Sequence, residues 1–169
     1  LENRFRLIRR VLLAVRDACG PRFALLVKVD NDSCDDLPAL LRLFQSAGVD
    51  GTELSGLDMA RRDGQKTPFF LDRLLAAWEG LTVPIFPVGG VFSRAAAEKV
   101  LAAGAPFVSL SRALICQPDF VERMEKGQTE SPCLACNHCY NVYRQRPVRC
   151  VLHTEVIPQL EAVFGPYPT

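Results

Sequence analysis

The chain has 169 residues, 49% of them hydrophobic, enough for one globular domain with a sizeable core. Its 20 Lys and Arg against 19 Asp and Glu leave a formal net charge of +1, which gives no electrostatic case for nucleic acid or an anionic membrane and favours a small-molecule substrate. No stretch approaches the roughly 20 apolar residues of a membrane span, and charges interrupt the opening "LENRFRLIRR", so neither a span nor a signal peptide is read and a cytoplasmic location is expected.

In chain order, the opening segment sets Leu7, Val11, Leu12 and Val15 at helical spacing. "FALLVKV" (23–29) reads as a strand. "DDLPALLRLFQSAG" (35–48) reads as a helix with Leu37, Leu40, Leu41 and Phe44 on its apolar face and Gly48 at its C-cap. "VDGTELS" (49–55) is a second, weaker strand. "TPFFLDRLLAAWEG" (67–80) is a helix that gathers Phe70, Leu71, Leu74, Leu75 and Trp78, closed by Gly80. "VPIFPVGG" (83–90) is the third strand, "SRAAAEKVLAAG" (93–104) a helix capped by Ser93, "PFVSLS" (106–111) the fourth strand and "PDFVERMEKG" (118–127) a short helix. After residue 128 the periodicity stops, and turn formers, cysteines and basic residues take over. The chain is therefore divided into a βα region, 1–128, and a Cys-rich loop and tail, 129–169.

Consecutive βα units with helix-length connections require parallel strands and right-handed crossovers, so the fold class is α/β. Alternation alone fits both an open doubly wound sheet and a (β/α)₈ barrel. A barrel needs eight strands and about 250 residues, so on that reading this chain is the second half, about strands 5–8, followed by a Cys-rich C-terminal loop region. The start at Leu1 rather than Met fits a fragment.

Two strand ends carry chemistry. Gly89 and Gly90 close the third strand just before the helix cap Ser93, where a glycine lets a ligand approach the backbone and a helix N-terminus offers N–H groups to an anion. The fourth strand ends in Ser111 and Arg112, a hydroxyl beside a cation suited to bidentate phosphate contact. In barrels the loops after strands 7 and 8 commonly bind phosphate, and these would be those loops. The bland alternatives are a plain turn and a surface salt bridge. Lys28 stands in an apolar strand, where its charge needs a partner or a route to water.

Of seven cysteines, Cys133, Cys136, Cys139 and Cys150 fall within eighteen residues, which in a cytosol-like protein suggests metal rather than disulfides. Four soft sulfur ligands suit an iron–sulfur cluster or tetrahedral Zn²⁺. Asn137, Arg144, Arg146 and Arg149 read as a solvated set that stabilises the loop, and His138 and His153 are not enlisted as catalytic groups.

The run "VPIFPVGGVFSRAAAEKVLAAGAPFVSLSRALICQPDFVERMEKG" resembles the C-terminal barrel half of the Old Yellow Enzyme family, the FMN-dependent NADH:flavin oxidoreductases. "LENRFR", "FALLVKVDNDS" and "AGVDGTELSG" resemble that family's segments after strand 4 and at strands 5 and 6. The resemblance implies that Gly89, Gly90, Ser111 and Arg112 hold the FMN phosphate and that Lys28 lies near the flavin N1 and C2 carbonyl, where a cation stabilises the reduced ring. It implies hydride transfer from NAD(P)H through flavin to an electron-poor alkene or similar acceptor. The family's substrate ligands and proton donor come from segments before the position of Leu1, so no general acid is named here. Larger relatives such as 2,4-dienoyl-CoA reductase bind a [4Fe–4S] cluster through a similar Cys-rich loop, one residue longer at two points, which favours iron over Zn²⁺ for Cys133, Cys136, Cys139 and Cys150.

Two other readings stand beside this one. One is another FMN barrel, such as a dihydrouridine synthase-like enzyme. The other is a metal-binding, non-catalytic half-barrel module. A lone half barrel exposes sheet edges and apolar faces, so the missing half, a second copy or a reductase is the expected partner.

Overall fold

A computed structural model of the chain describes residues 1–32, 34–56, 62, 64–78, 80–141 and 149–152. The elements follow the order α1 (Glu2–Cys19), β1 (Leu26–Asp30), α2 (Leu37–Ser46), β2 (Gly51–Ser55), α3 (Leu71–Ala77), β3 (Ile85–Pro87), α4 (Arg94–Ala102), α5 (Arg112–Cys116), α6 (Phe120–Glu125) and α7 (His138–Asn141). The fold is mixed α/β, with a three-stranded sheet in the order β1-β2-β3 and both pairings parallel.

The fourth strand is reduced to one parallel bridge, Val88 to Ser109. Pro106, which opens the expected strand, has no N–H to give a ladder. Phe107 instead lays its ring against Phe86 at 4.0 Å between centroids. The bridge nevertheless continues the consecutive order, placing this segment beside β3.

Register fixes the two faces of the sheet. Lys28 pairs with Glu53 and Glu53 with Phe86, so these three share one face, while Val27, Thr52 and Ile85 alternate onto the other. Leu54 and Ile85 are buried with Leu41 and Phe44 of α2 and Leu74 of α3 in the main core. The opposite face is more open at β1, where Leu26 is 55% exposed.

Helix α1 joins this core by only part of the line its sequence suggests, Leu12 and Val15, together with Phe5. Phe5 and Leu12 are buried and Val15 is partly buried, whereas Leu7 and Val11 are exposed. Phe5 meets Phe44 edge to face at 5.5 Å, and this aromatic contact sets which side of α1 turns inward.

Helix starts follow their capping residues. Asp36 accepts from the Ala39 N–H at 3.0 Å with Pro38 in the first turn of α2, and Ser93 Oγ accepts from the Ala96 N–H at 3.1 Å to start α4. The N-terminal edge of the sheet is tied by one side-chain pair. Arg16 donates to the carbonyls of Phe23 at 2.6 Å and Gly48 at 2.9 Å and to Asp50 Oδ2 at 2.6 Å, while Asp50 also accepts from the Leu25 N–H at 2.7 Å. Three segments of the chain, at Arg16, 23–25 and 48–50, meet there.

The residues after 128 are stitched to the βα region. The Arg94 N–H donates to Thr129 O at 2.9 Å and the Ser131 N–H to Phe92 O at 2.7 Å, around an antiparallel bridge from Ser93 to Glu130. A second apolar cluster forms there from Phe92, Ala113, Cys116, Phe120, Cys133, Ala135 and Cys150. Among the described residues no helix is long and apolar enough to cross a membrane.

Candidate functional site

The Val88–Ser109 bridge sets the two strand ends side by side, so Gly89-Gly90 and Ser111-Arg112 lie on neighbouring loops at the C-terminal edge of the sheet. In parallel α/β sheets that edge is where ligands bind. Both glycines have positive φ, 110° and 77°. A Cβ on Gly89 would stand 2.6 Å from the Phe69 ring, and one on Gly90 would overlap the Thr67 carbonyl. The close approach that the glycines permit is thus made by the chain's own segment 67–69, and the Phe69 N–H donates to Gly89 O at 3.3 Å.

Phe69 links the two loops. Its ring lies 5.5 Å from the Arg112 guanidinium and 5.4 Å from that of Arg62, which pairs with Asp32 at 2.5 Å. The loops after β2 and β3 and the start of α5 therefore meet at one aromatic ring, and Arg62 ties it to Asp32 in the loop after β1. Ser111 is exposed at the start of α5 and its side chain makes no capping bond.

Arg112 is 6% exposed and turns toward the Cys-rich segment. Its Nη1 donates to Ala135 O at 3.3 Å and to Asn137 Oδ1, and its guanidinium lies 5.1 Å from the Phe92 ring. Asn137, expected as a solvated residue, is buried because Arg112 uses its side-chain oxygen. Arg149 is half-buried rather than fully solvated, while Arg144, Arg146 and His153 lie outside the described residues. His138 is exposed at the start of α7.

Lys28 has the partner that its place in a strand demands. Its ammonium pairs with Glu53, directly across in the β1–β2 register, and Glu53 also accepts from Ser109 Oγ at 2.5 Å. The Lys28 side chain remains 60% exposed and that of Glu53 only 19%. Glu53 and Ser109 escape a motif search, but Lys28 and Glu53 both stand third in their strands, and parallel pairing makes them neighbours.

Cys133, Cys136, Cys139 and Cys150 line one small cavity of about 10 Å³, together with Arg112 and Asn137. That volume is close to the least that holds one water. Ala135 and Asn137 adopt left-handed φ values of 56° and 57°, which curl the segment around the cavity. The Gly64 N–H fastens this curl at Ala135 O, 3.1 Å away, and the Ala135 N–H donates to Cys133 Sγ at 3.5 Å. An N–H aimed at sulfur favours a thiolate, as does the nearby Arg112 charge. Burial outweighs both, pushing the Cys133 thiol up, and does the same at Cys139. All seven cysteines are free thiols, and Cys136 alone of the four is exposed.

Cys116, scattered in the sequence, also belongs to this neighbourhood. Burial and then hydrogen bonding to Cys150 push its thiol up to about 12, and it contacts Cys133 as well. It lies outside the lining of the cavity. No spacing rule could have found it, because α5 carries it in from seventeen residues before Cys133.

The donor chemistry of the four lining thiols fits a soft metal. Among the described residues, however, no three His, Cys, Asp or Glu side chains are set as a ligand group around a common point. The paired strand-end loops and a guanidinium are phosphate-binding groups in kind, but segment 67–69 fills the approach at the glycines and Arg112 is turned to Ala135 and Asn137. Compared with known proteins, the chain matches no family model and no curated sequence.

Proposed function

We propose that the chain is the second half, about strands 5–8, of a (β/α)₈ barrel belonging to an FMN-dependent NAD(P)H oxidoreductase of the Old Yellow Enzyme type, with a metal centre in its Cys-rich segment. The observation that carries this reading is the position of Arg112. It leaves the strand-end loop expected to meet a flavin phosphate and enters the wall of the four-cysteine cavity, so the two expected centres share a residue. Electron exchange between a flavin and a metal cluster needs such adjacency.

The consecutive strand order and the open face bearing Lys28 support the barrel half, since that face would line the interior of a closed barrel. In this reading the Gly89-Gly90 and Ser111-Arg112 loops hold the phosphate, and Lys28 supplies a cation whose field Glu53 tempers. FMN, when bound, supplies hydride transfer from NAD(P)H to an electron-poor acceptor. Cys133, Cys136, Cys139 and Cys150 would hold the metal. The resemblance favours a [4Fe–4S] cluster, and the water-sized cavity favours the second reading, a single Zn²⁺.

The test is the flavin and metal content of the chain purified without oxygen, together with any protein that stays bound to it, followed by titration with FMN. One FMN and one metal centre per chain are expected, with both reduced in Arg112→Ala. A chain that takes up metal and retains no FMN is a metal-binding module, and the oxidoreductase reading falls.

A further inference from the structure

The two edges of the sheet differ. At the far edge Pro106 opens the fourth segment without an N–H, and one bridge from Val88 to Ser109 holds that segment. At the near edge β1 is a five-residue strand that pairs, among the described residues, on one side only, with β2. Leu25 O accepts from the Asp50 N–H and the Asn31 N–H donates to Ser55 O, both toward β2. Backbone groups alternate along a strand, so the N–H and C=O of Leu26 and Lys28 turn to the open side. A groove of about 400 Å³ runs along that side. Residues 27–30 line it without a gap, which the edge of a strand can do and its face, offering every second side chain, cannot. Phe5 and Ile8 of α1 and Leu40 and Phe44 of α2 form its apolar wall.

The start of α1 stands beside the end of β1 in this groove, and Arg16, near the other end of α1, donates to Phe23 O just before β1, so the helix runs opposite to the strand. A helix that connects two parallel strands runs this way, and the groove is the place of the second strand. Lys28, the charge that would ward a strand off this edge, is drawn to Glu53. The groove ends among the carboxylates of Asp30, Asp35 and Asp36, which outnumber the guanidinium of Arg4. We propose that the groove takes one extended strand of the other barrel half, parallel to β1, with alternate apolar side chains against the α1 and α2 wall and a basic residue near its C-terminal end facing the carboxylates. The proposal deepens the barrel reading by naming the seam where the halves join. It rests on that reading for the source of the strand, and neither flavin nor metal enters it.

The experiment titrates the chain with two end-blocked peptides, TVTVTK and KTVTVT, and reads amide exchange at Leu26 and Lys28 by NMR. TVTVTK should slow both amides by at least about tenfold. It should bind about two- to fivefold more tightly than KTVTVT, a preference reduced in Asp35→Asn. Methylating its valine nitrogens, which turn to β1 when the valines face the helices, should abolish binding. Ile8→Glu, at a position 44% exposed, should keep the fold and weaken the peptide about tenfold. No slowing at about 1 mM peptide, or slowing at another edge, overturns the proposal. So do equal affinities of the two peptides, which deny the parallel placement, and undiminished binding of the methylated peptide, which makes the groove an apolar pocket. Protection of the two amides that grows with chain concentration and needs no peptide assigns the edge to a second copy and overturns it too. Docking by a chain that retains no FMN leaves the seam standing and fells the oxidoreductase reading, and FMN retained without docking does the reverse.

Discussion

The two apolar clusters are built from different material. Beneath α1 to α4 the core is made of Phe5, Leu41, Phe44, Leu54, Leu74 and Ile85, large side chains from helices and strands far apart in sequence. The cluster around α5, α6 and the Cys-rich segment has seven buried members, and five of them are alanine or cysteine; Phe92 and Phe120 are its large buried side chains, with Leu110, Leu114, Ile115 and Met124 partly buried against them. At about 25 cal/mol per Å² of buried apolar surface, the first cluster, with more and larger buried side chains, gains more from burial than the second, where the Arg112 bonds add to the packing. Small cores of that kind are commonly completed by a metal or a disulfide. The contrast therefore separates a region packed from large side chains from one whose buried members are mostly small.

The largest effects should come from emptying each core in turn. Phe120 and Leu74 are both fully buried, and truncation to Ala should cost about 3–5 kcal/mol at Phe120 and about 2–5 kcal/mol at Leu74. Urea unfolding followed by both helical signal and thiol reactivity tells them apart. Phe120→Ala should expose Cys116 and Cys133 to a thiol reagent at urea concentrations where the helical signal persists. Leu74→Ala should lose both signals together. Coincident transitions in both variants would mean that the clusters form one cooperative unit and would erase the contrast.

The strand-end glycines test the seam between the regions. Gly90→Ala puts a Cβ into the Thr67 carbonyl at positive φ, so left-handed strain and overpacking together should cost about 2–4 kcal/mol. Gly89→Ala meets a ring rather than backbone and should cost less, because Phe69 can tilt. Thermal unfolding of the two variants checks the order. Equal, negligible losses would show that segment 67–69 does not rest on the glycines.

Much of the βα region was readable from the sequence, because apolar periodicity and helix caps act locally. The strands at β1, β2 and β3, the Ser93 cap and the turn at Gly89-Gly90 follow from neighbours within a few residues. What the sequence hid is long-range. Leu7 and Val11 have the right spacing to face inward, yet Phe44, more than thirty residues on, selects Phe5 instead. The glycine pair reads as a ligand cradle until Phe69 and Thr67 are seen packed on it. The four clustered cysteines line one small cavity without forming a ligand group around a common point among the described residues, and Cys116 reaches the same apolar cluster only through the path of α5. The buried Asn137 needed Arg112 as its partner, and the Arg16–Asp50 tie links residues 34 apart in sequence.

Metal separates the regions at intermediate cost. If Zn²⁺ binds the folded chain through the four thiols, a concentration one hundred times its dissociation constant should raise stability by about 2.7 kcal/mol. That gain should appear in the thiol-reactivity transition and vanish in Cys139→Ser. A gain that survives Cys139→Ser, or appears only in the helical signal, would move the metal away from the Cys-rich segment.

The smallest effect is also the one that assigns each region its own end of the pH scale. The Leu25 N–H, and then Arg16, hold the Asp50 carboxyl below the usual carboxylate range. A depressed folded pKa contributes stability above the unfolded value of about 3.9 and loses it as pH falls through the folded value. Asp50 is about half exposed, so the contribution is about 1 kcal/mol or less, and Asp50→Asn should flatten the acid limb by that amount. The buried thiols act with the opposite sign. Cys133, Cys139 and Cys116 have folded values raised by burial, so in the metal-free chain their stability is full below about pH 8.5 and is lost as pH climbs toward about 12, the Cys116 value. Unfolding midpoints measured from pH 3 to 10 should therefore plateau between the two limbs, with Asp50→Asn changing only the acid side and Cys116→Ala only the alkaline side. If Cys116→Ala moved the acid limb as well, the thiol cluster and the sheet edge would be coupled through the whole fold, and the division into two separately packed regions would have to be given up.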